Sequence, residues 1–209
     1  DASGNEFGTV DAAGVRAAAN NGDGVDYSPW AGLEGAATSP GYSCDYSTLY
    51  VDDDSPQSGA DGYIQEGVSL VEGSTIHVLG GTYAESIVFD SAFDKDGLIF
   101  DGEDSDHPAV TGGIRFQQAA EIDGVTFRDL TISGLAPGAN AIIDFDNSGI
   151  VNDLVLDGCL IDGELVADRN GLTGNRLAQS LTVTDTEMKD VLGWSLMDFD
   201  SSYAGPPYG

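Results

Sequence analysis

Basic residues are scarce in this sequence. Seven lysines and arginines stand against 36 aspartates and glutamates among 209 residues, a formal net charge of −29. Proteins that bind nucleic acids neutralise phosphates with basic side chains, and anionic membranes attract the same residues. The scarcity therefore excludes nucleic acid as a partner and attachment to an anionic membrane surface.

The excess of acid has two explanations that the sequence leaves open. Salt screens like-charge repulsion and divalent cations neutralise it, so an acidic surface suits a saline or calcium-rich extracellular setting. Aspartate is also an ordinary turn residue, because its carboxylate accepts hydrogen bonds from nearby backbone N–H groups. A fold with many turns would use it often without any ligand.

Cysteines and long apolar runs are also scarce. The two cysteines, Cys44 and Cys159, form no C-x-x-C pair, which excludes a thiolate metal site of the usual spacing. We expect Cys159 to pack as a small apolar side chain, and a disulfide to Cys44 stays open. No apolar run is long enough to span a bilayer, so we expect no membrane insertion. The chain has neither an initiator methionine nor a signal peptide, so we expect a processed chain or a piece of a longer one.

What the sequence contains instead is a repeated pair of short apolar segments. Residues Val125–Gly134 read V-T-F-R-D-L-T-I-S-G, and the pattern returns at Leu154–Gly163 and Leu181–Asp190. The first apolar residues of five such segments are Ile76, Leu98, Val125, Leu154 and Leu181. They are spaced 22, 27, 29 and 27 residues apart. A period of this size is typical of stacked coils, which bury a continuous core only by stacking.

Alternate residues of a strand point to the same side, so each coil supplies pairs of inward residues to three columns. The first column is Ile76/Val78, Leu98/Phe100, Val125/Phe127, Leu154/Leu156 and Leu181/Val183. The second is Leu130/Ile132, Cys159/Ile161 and Thr186/Met188. The third is Ile87/Phe89, Ile114/Phe116, Ile143/Phe145 and Met197/Phe199, with Leu165/Ala167 as the match in the fourth coil. Three short strands per coil predict an all-β fold, a right-handed parallel β-helix of about five coils, whose hand follows from the crossover rule.

A helical pattern precedes the first of these coils. In Tyr63–Val71, which reads Y-I-Q-E-G-V-S-L-V, the residues Ile64, Val68 and Val71 fall at i, i+4 and i+7. This spacing predicts a short helix. A helix here would cap the first coil by covering its apolar end and its unpaired strand edges, which otherwise invite aggregation.

The next segment carries a family resemblance. Residues 72–87, E-G-S-T-I-H-V-L-G-G-T-Y-A-E-S-I, resemble the opening coil of the pectate-lyase-like β-helix superfamily, and the resemblance extends over residues 63–202. Gly81–Glu85 resembles the first motif of pectin methylesterases, but the motifs that carry catalysis in those enzymes, in polygalacturonases and in pectate lyases are absent. His77 and His107 have no catalytic partner nearby in sequence, so we interpret both as structural. The G-T-Y-A-E motif then indicates a fold rather than a chemistry.

The N-terminal segment resembles another part of such proteins. Residues 1–32 end in D-G-V-D-Y-S-P-W-A-G, which is similar to the tail that closes a unit in secreted β-helix repeat proteins. The resemblance implies that the chain starts where a neighbouring unit ends. The alternative is a loop-rich cap with Tyr27 and Trp30 packed on the first coil. We divide the chain into an N-terminal extension or cap at 1–47, a β-helix at 48–202 and a tail at 203–209.

Two acidic segments are candidate cation sites. Ile143–Ser148 (I-D-F-D-N-S) and Met197–Ser202 (M-D-F-D-S-S) lie 54 residues, or two coils, apart. The aspartates predicted to point outward on one face are Asp144, Asp146, Asp198 and Asp200, with Asp90 and Asp168 beside them. Such a stripe would bind Ca²⁺ or face a carbohydrate, or it would be a solvated acidic surface. For the loop Asp52–Gly62 we favour a solvated loop over a Ca²⁺ site.

These features predict a non-catalytic structural or adhesive module, extracellular or at the cell surface, as a filament subunit or a repeat of a larger surface protein. Its partners would be further copies joined head to tail, or neighbouring repeat units. One side of that contact would use Trp194, Met197, Phe199 and Tyr203, and the other Ile64, Val68, Tyr27 and Trp30. The alternatives are a polysaccharide-active enzyme of the pectate-lyase type and a carbohydrate- or calcium-binding module.

Overall fold

The computed structural model describes residues 2–19, 24–32, 45–59, 61–90, 95–103, 107–117, 121–145, 150–164, 172–174, 181–191 and 198–199. For residues 45, 121, 150, 172–174 and 198–199 only the backbone is described. Several residues named above lie outside the described part of the chain: Cys44, Asp146, Leu165, Ala167, Asp168, Trp194, Met197, Asp200 and Tyr203.

The described chain is almost entirely short strands, with two short helices near its N-terminus. The helices are α1 (Ala12–Ala18) and α2 (Tyr63–Leu70). The strands are β1 (Trp30–Gly32), β2 (Asp45–Val51), β3 (Thr75–Val78), β4 (Thr82–Tyr83), β5 (Ile87–Phe89), β6 (Leu98–Gly102), β7 (Ala109–Val110), β8 (Ile114–Phe116), β9 (Glu121–Arg128), β10 (Thr131–Ser133), β11 (Ile143–Phe145), β12 (Ile150–Asp157), β13 (Leu160–Asp162), β14 (Leu172–Gly174), β15 (Leu181–Thr184), β16 (Glu187–Lys189) and β17 (Asp198–Phe199).

Three sheets run the length of the molecule, and each coil adds one strand to each sheet. The first sheet has the order β1-β2-β3-β6-β9-β12-β15, the second β4-β7-β10-β13-β16 and the third β5-β8-β11-β14-β17. Every pairing is parallel except that of β1 with β2. The predicted β-helix is therefore confirmed as a parallel β-solenoid. Five strands in a sheet are separated by four steps, so the solenoid has about four turns where the sequence predicted about five coils.

The register corrects one of the predicted spacings. Ile76 pairs with Phe100 rather than with Leu98, and Leu49 of the preceding strand pairs with Ile76. The step from Ile76 is thus 24 residues, where the sequence pattern gave 22. Side chains alternate with a period of two, so this shift of two residues leaves every inward assignment on the same face.

The predicted inward columns form the core. Both residues of each predicted pair are buried in the first sheet through Leu154/Leu156, in the second sheet through Cys159/Ile161 and in the third through Ile143/Phe145. Phenylalanines stack from coil to coil, with ring centroids 4.6 Å apart for Phe89–Phe116, 4.8 Å for Phe116–Phe145 and 4.8 Å for Phe100–Phe127. These distances match the spacing of adjacent strands, so each ring packs flat on the ring of the next coil.

Two positions at the C-terminal end of the solenoid differ from the prediction. Val183 was expected inside, but it is 42% exposed, because β15 is the last strand of the first sheet and the described residues place no further coil on it. The third strand of the fourth coil is β14 rather than Leu165/Ala167. Gly174 of β14 pairs with Phe145 on one side and Phe199 on the other, so a residue without a side chain interrupts the phenylalanine column.

The corners between strands use aspartate and glycine in a regular way. Gly97, Gly124 and Asp153 precede strands or strand segments of the first sheet with φ values of 72°, 80° and 57°. This left-handed conformation is one that glycine adopts freely and aspartate tolerates. Beside them, the Asp123 backbone N–H donates to Asp96 Oδ1 at 2.6 Å in the preceding coil. Part of the acidity is therefore turn chemistry, as one of the two explanations held.

Phe127 gives a direct test of the register. It is fully buried and stacked on Phe100, so Phe127→Ala leaves a cavity in the core. We expect the free energy of unfolding to fall by about 3–5 kcal/mol in urea titrations. Thr126→Ala, on the outward side of the same strand, is the matched control and should change it by about 0.5 kcal/mol or less. Equal losses for the two variants would contradict the register.

Candidate functional site

One row of outward side chains on the first sheet brings together most of the chemically versatile groups of the described chain. We call Tyr50, His77, Asp101, Arg128 and Asp157 the outer row. Each pairs with the next across adjacent strands, one residue from each of β2, β3, β6, β9 and β12. Stacking the coils therefore places residues that are 24 to 29 positions apart along the chain side by side.

His77 lies at the centre of close polar contacts in this row. Its Nδ1 is 3.0 Å from Glu103 Oε1 and 3.4 Å from Asp101 Oδ2. Its ring stacks on Tyr50 with centroids 4.8 Å apart, and the side chain is 19% exposed. A carboxylate beside one imidazole nitrogen orients the ring, which is an arrangement that general acid–base catalysis also uses.

Arg128 connects the acids of the row. Its NH1 is 3.3 Å from Asp101 Oδ1 and its Nε is 3.6 Å from Asp157 Oδ2, so it joins three consecutive coils. Opposite charges alternate along the row, and the groups neutralise one another across coils. The sequence interpretation missed this site because it looked for partners of His77 nearby in sequence. The signal available was a polar residue recurring at the outward phase of successive coils.

The G-T-Y-A-E motif has an internal structural role, which supports its interpretation as an indication of fold. The Thr82 backbone N–H donates to Asp53 Oδ2 at 2.8 Å. The Tyr83 hydroxyl is buried and donates to the carbonyl oxygens of Val51 and Leu79, at 3.1 and 2.9 Å. Burial raises the pKa of this phenol well above its usual value.

Glu85, the last residue of the motif, caps α2. Its carboxylate accepts hydrogen bonds from the backbone N–H groups of Ile64 at 3.1 Å and Gln65 at 2.9 Å. Gly62, at the N-cap position, has no side chain to do so. Burial raises the pKa of the Glu85 carboxyl, and these backbone donors oppose the rise without cancelling it.

The acidic loop after β2 binds the N-terminal segment, so the prediction of a solvated loop is wrong for its centre. Asp52 and Ser55 are 6% and 2% exposed. The Ser55 hydroxyl accepts from the backbone N–H groups of Tyr27 and Ser28, at 3.0 and 3.1 Å. In return the Ser28 hydroxyl accepts from the Asp52 N–H at 3.1 Å. These reciprocal bonds attach residues 24–32 to the first coil.

The predicted aspartate stripe differs at the one member whose side chain is described. Asp144 is 3% exposed rather than solvated, because Arg115 of the preceding coil and the loop before β11 cover it. Its Oδ2 is 3.8 Å from Arg115 Nε, and its Oδ1 accepts from the Asn140 N–H at 3.3 Å. Asp198 lies two coils further along the third sheet, across β14, as predicted. Cation binding by these four aspartates stays a prediction.

A different acidic cluster has the geometry of a metal site. Carboxylate oxygens of Asp162, Glu164 and Asp190 lie within 4.8 Å of one another, close enough to coordinate one cation. Lys189 Nζ lies among them, at 3.0, 3.8 and 3.9 Å from the three acids. The Glu164 N–H and Lys189 lower the pKa of Asp162. Sequence reasoning missed the cluster because β13 and β16, from different coils, supply its members.

The predicted contact residues in the N-terminal half are occupied within the chain itself. Ile64 and Val68 of α2 are 0% and 2% exposed and pack on the main core. Tyr27 and Trp30 are both fully buried in a second cluster with Val15 of α1. This arrangement is the cap that the sequence analysis held as an alternative. The assembly contact itself stays a prediction.

Cys159 packs as expected. It is 2% exposed and is a free thiol whose Sγ donates to the Phe127 carbonyl oxygen at 3.3 Å. Burial raises its pKa to about 11, so the thiol stays protonated at neutral pH.

Five of the seven basic residues lie in the described part of the chain, and all five contact groups 24 to 38 residues away in sequence. The contacts are Arg16 with Asp54, Lys95 with the Val71 carbonyl oxygen, Arg115 with Asp144, Arg128 with Asp101 and Asp157, and Lys189 with Asp162. The basic side chains thus hold separate coils together.

Comparison with protein-family models, with curated proteins and with solved structures gave no match for this chain. Among the described residues, neither helix is long and apolar enough to cross a membrane.

The capping role of Glu85 predicts a pH-dependent stability difference. Glu85→Ala leaves two N–H groups of α2 without their acceptor and should cost about 1–2 kcal/mol. The raised pKa means that the folded state holds the Glu85 proton to higher pH than the unfolded chain, where it is ordinary, at 4.5. The wild-type advantage should therefore shrink as pH rises above that value. Urea unfolding from pH 4 to 7 measures it, with Glu66→Ala in the same helix as control. An advantage that grows with pH would contradict the raised pKa.

Proposed function

We propose that this chain is a non-catalytic structural or adhesive β-solenoid module of an extracellular or cell-surface protein, working as a filament subunit or as one repeat of a larger assembly. One observation carries the proposal: every described lysine and arginine joins separate coils, where a catalytic or ligand-binding role would leave such a group directed at a substrate. The charged groups with most chemical potential are used to hold a rod together.

The outer row supports the same proposal. Arg128 is shared between two carboxylates, and His77 contacts two more oxygens, so their charges are satisfied within the sheet. The resemblance of residues 72–87 to pectate-lyase-like proteins enters this proposal as a likeness of fold and of secreted setting. With its basic groups already engaged, the module presents mostly carboxylates to its surroundings. Such a surface favours cations and neutral partners over anionic polymers.

Native material provides the test. Electron microscopy with an antibody against this chain should place it in filaments or in a surface layer. The purified chain should release neither reducing ends nor unsaturated products from neutral and uronate polysaccharides. Turnover that disappears in His77→Ala, with Thr75→Ala on the same strand retaining it, would contradict the proposal and identify the outer row as an enzyme site.

Calcium binding is a second candidate function, favoured by the cluster of Asp162, Glu164 and Asp190. Hard cations take clustered carboxylate oxygens, and Ca²⁺ accepts irregular arrangements of them. A bound ion would have to displace Lys189 from the three acids, so the competition between them sets the affinity.

Thermal unfolding in EDTA, in Ca²⁺ and in molar NaCl tests this second candidate. Screening of the net charge of −29 should raise the midpoint in NaCl, and a specific site should add a further rise in Ca²⁺ at constant ionic strength. Asp190→Asn should remove the calcium increment, since asparagine keeps the positive φ of 53° but not the charge. Glu187→Gln, an exposed acid of β16 outside the cluster, should retain it. Equal midpoints in all three solutions would exclude both the site and the salt effect.

A further inference from the structure

The three sheets end differently at the two ends of the solenoid. At the N-terminal end, each first strand has one edge without a parallel neighbour, and residues of the chain's own N-terminal part engage it. In the first sheet, β1 lies antiparallel on β2, pairing Trp30 with Tyr50 and Ala31 with Leu49. An antiparallel strand cannot continue a parallel ladder, so it terminates the sheet.

Side chains close the other two edges. In the second sheet, Asp53 Oδ2 accepts from the Thr82 N–H of β4 at 2.8 Å. In the third sheet, the Gln65 amide of α2 imitates a neighbouring strand against Val88 of β5. Its Oε1 accepts from the Val88 N–H at 2.8 Å, and its Nε2 donates to the Val88 carbonyl oxygen at 3.1 Å. We call β1, Asp53 and α2 together the N-terminal cap.

The C-terminal end lacks such closure in the part of the chain that the structure describes. Its last strands β15, β16 and β17 pair on one side only. Val183 is 42% exposed, and Leu181 and Met188, which pack on the core, are only partly buried. An end of this kind has strand edges and apolar side chains for which another coil is the natural partner.

We propose that the N-terminal cap is an autoinhibitory contact that prevents the last coil of a second copy from stacking on the first coil, and that its displacement permits head-to-tail assembly. This rests on the proposed function as a structural module. The occupant is a second copy because both ends display the same three sheets with strands running in the same direction. One copy moved along the axis therefore continues all three ladders, and a head-to-tail contact of this kind repeats into a fibre.

The cap is built so that it can be displaced without disrupting the main core. The side chains of β1 and α1 form a hydrophobic cluster separate from the core of the coils. The cap also gathers carboxylates that are held by N–H and hydroxyl donors, as Asp26 is by Ser58 and Glu85 by the start of α2. Repulsion among such acids makes the cap the end of the solenoid most sensitive to salt, pH and cationic partners.

Sedimentation velocity on the full-length chain tests the proposal. The wild type should remain monomeric, and the double variant Asp53→Ala/Gln65→Ala, with two edges uncovered, should self-associate reversibly at least about tenfold more tightly. Gln57→Ala is the control, because its amide contacts Glu66 of the same helix and no strand edge. Adding Val183→Lys at the opposite end of the double variant should restore the monomer.

Three results would overturn the proposal: a double variant that stays monomeric, a wild type that associates equally well, or association that persists with Val183→Lys. Gln65→Met, which keeps the helix surface and removes the amide, provides a second variant should the double variant lose its β circular-dichroism signal. Failure here is distinguishable from failure of the proposed function. Filaments in native material formed by chains with an intact cap would disprove the gate and leave the structural role standing.

Discussion

The structure depends on the parallel hydrogen-bonded ladder that joins each coil to the next. Each coil contributes only three short strands, and none of these would be stable by itself. Stacking satisfies their backbone groups and at the same time closes the core, where Phe100 lies on Phe127 and Phe116 on Phe145. Both consequences require adjacent coils, so the fold has no stable unit smaller than a stack, and each end of the stack is a structural problem in its own right.

Charge is subordinate to this ladder. Parallel stacking places equivalent positions of successive coils about 4.8 Å apart, so like charges at one outward position would repel strongly. The chain avoids this along the outer row by alternating Asp101, Arg128 and Asp157. At the corners it instead directs carboxylates at backbone N–H groups, as Asp96 does toward Asp123. A sequence with few basic residues can therefore form a regular solenoid, provided that those residues lie between coils.

The sequence allowed the core to be predicted and left the outer surface largely unpredicted, for a physical reason. Inward positions demand apolar side chains in every coil, so Ile76, Phe127 and Leu154 repeat in type as well as in spacing. Outward positions demand only mutual compatibility, so the contacts of His77 with Asp101 and Glu103 have no common residue type to reveal them. Asp144 was misplaced because alternation gives the direction of a side chain but not what covers it.

The ends of the solenoid decide how it relates to other chains. The sequence interpretation placed Tyr27, Trp30, Ile64 and Val68 at a contact between units, and the structure buries all four within one chain. Their apolar character has the same cause in both readings, because a coil without a neighbour needs apolar cover and edge partners. What differs is the source of the cover. A strand of a second copy would continue the parallel ladder, whereas β1 runs antiparallel and Gln65 offers a single amide, so each satisfies an edge without offering a new one that matches. Closure by mismatched partners is what allows a periodic fold to stop.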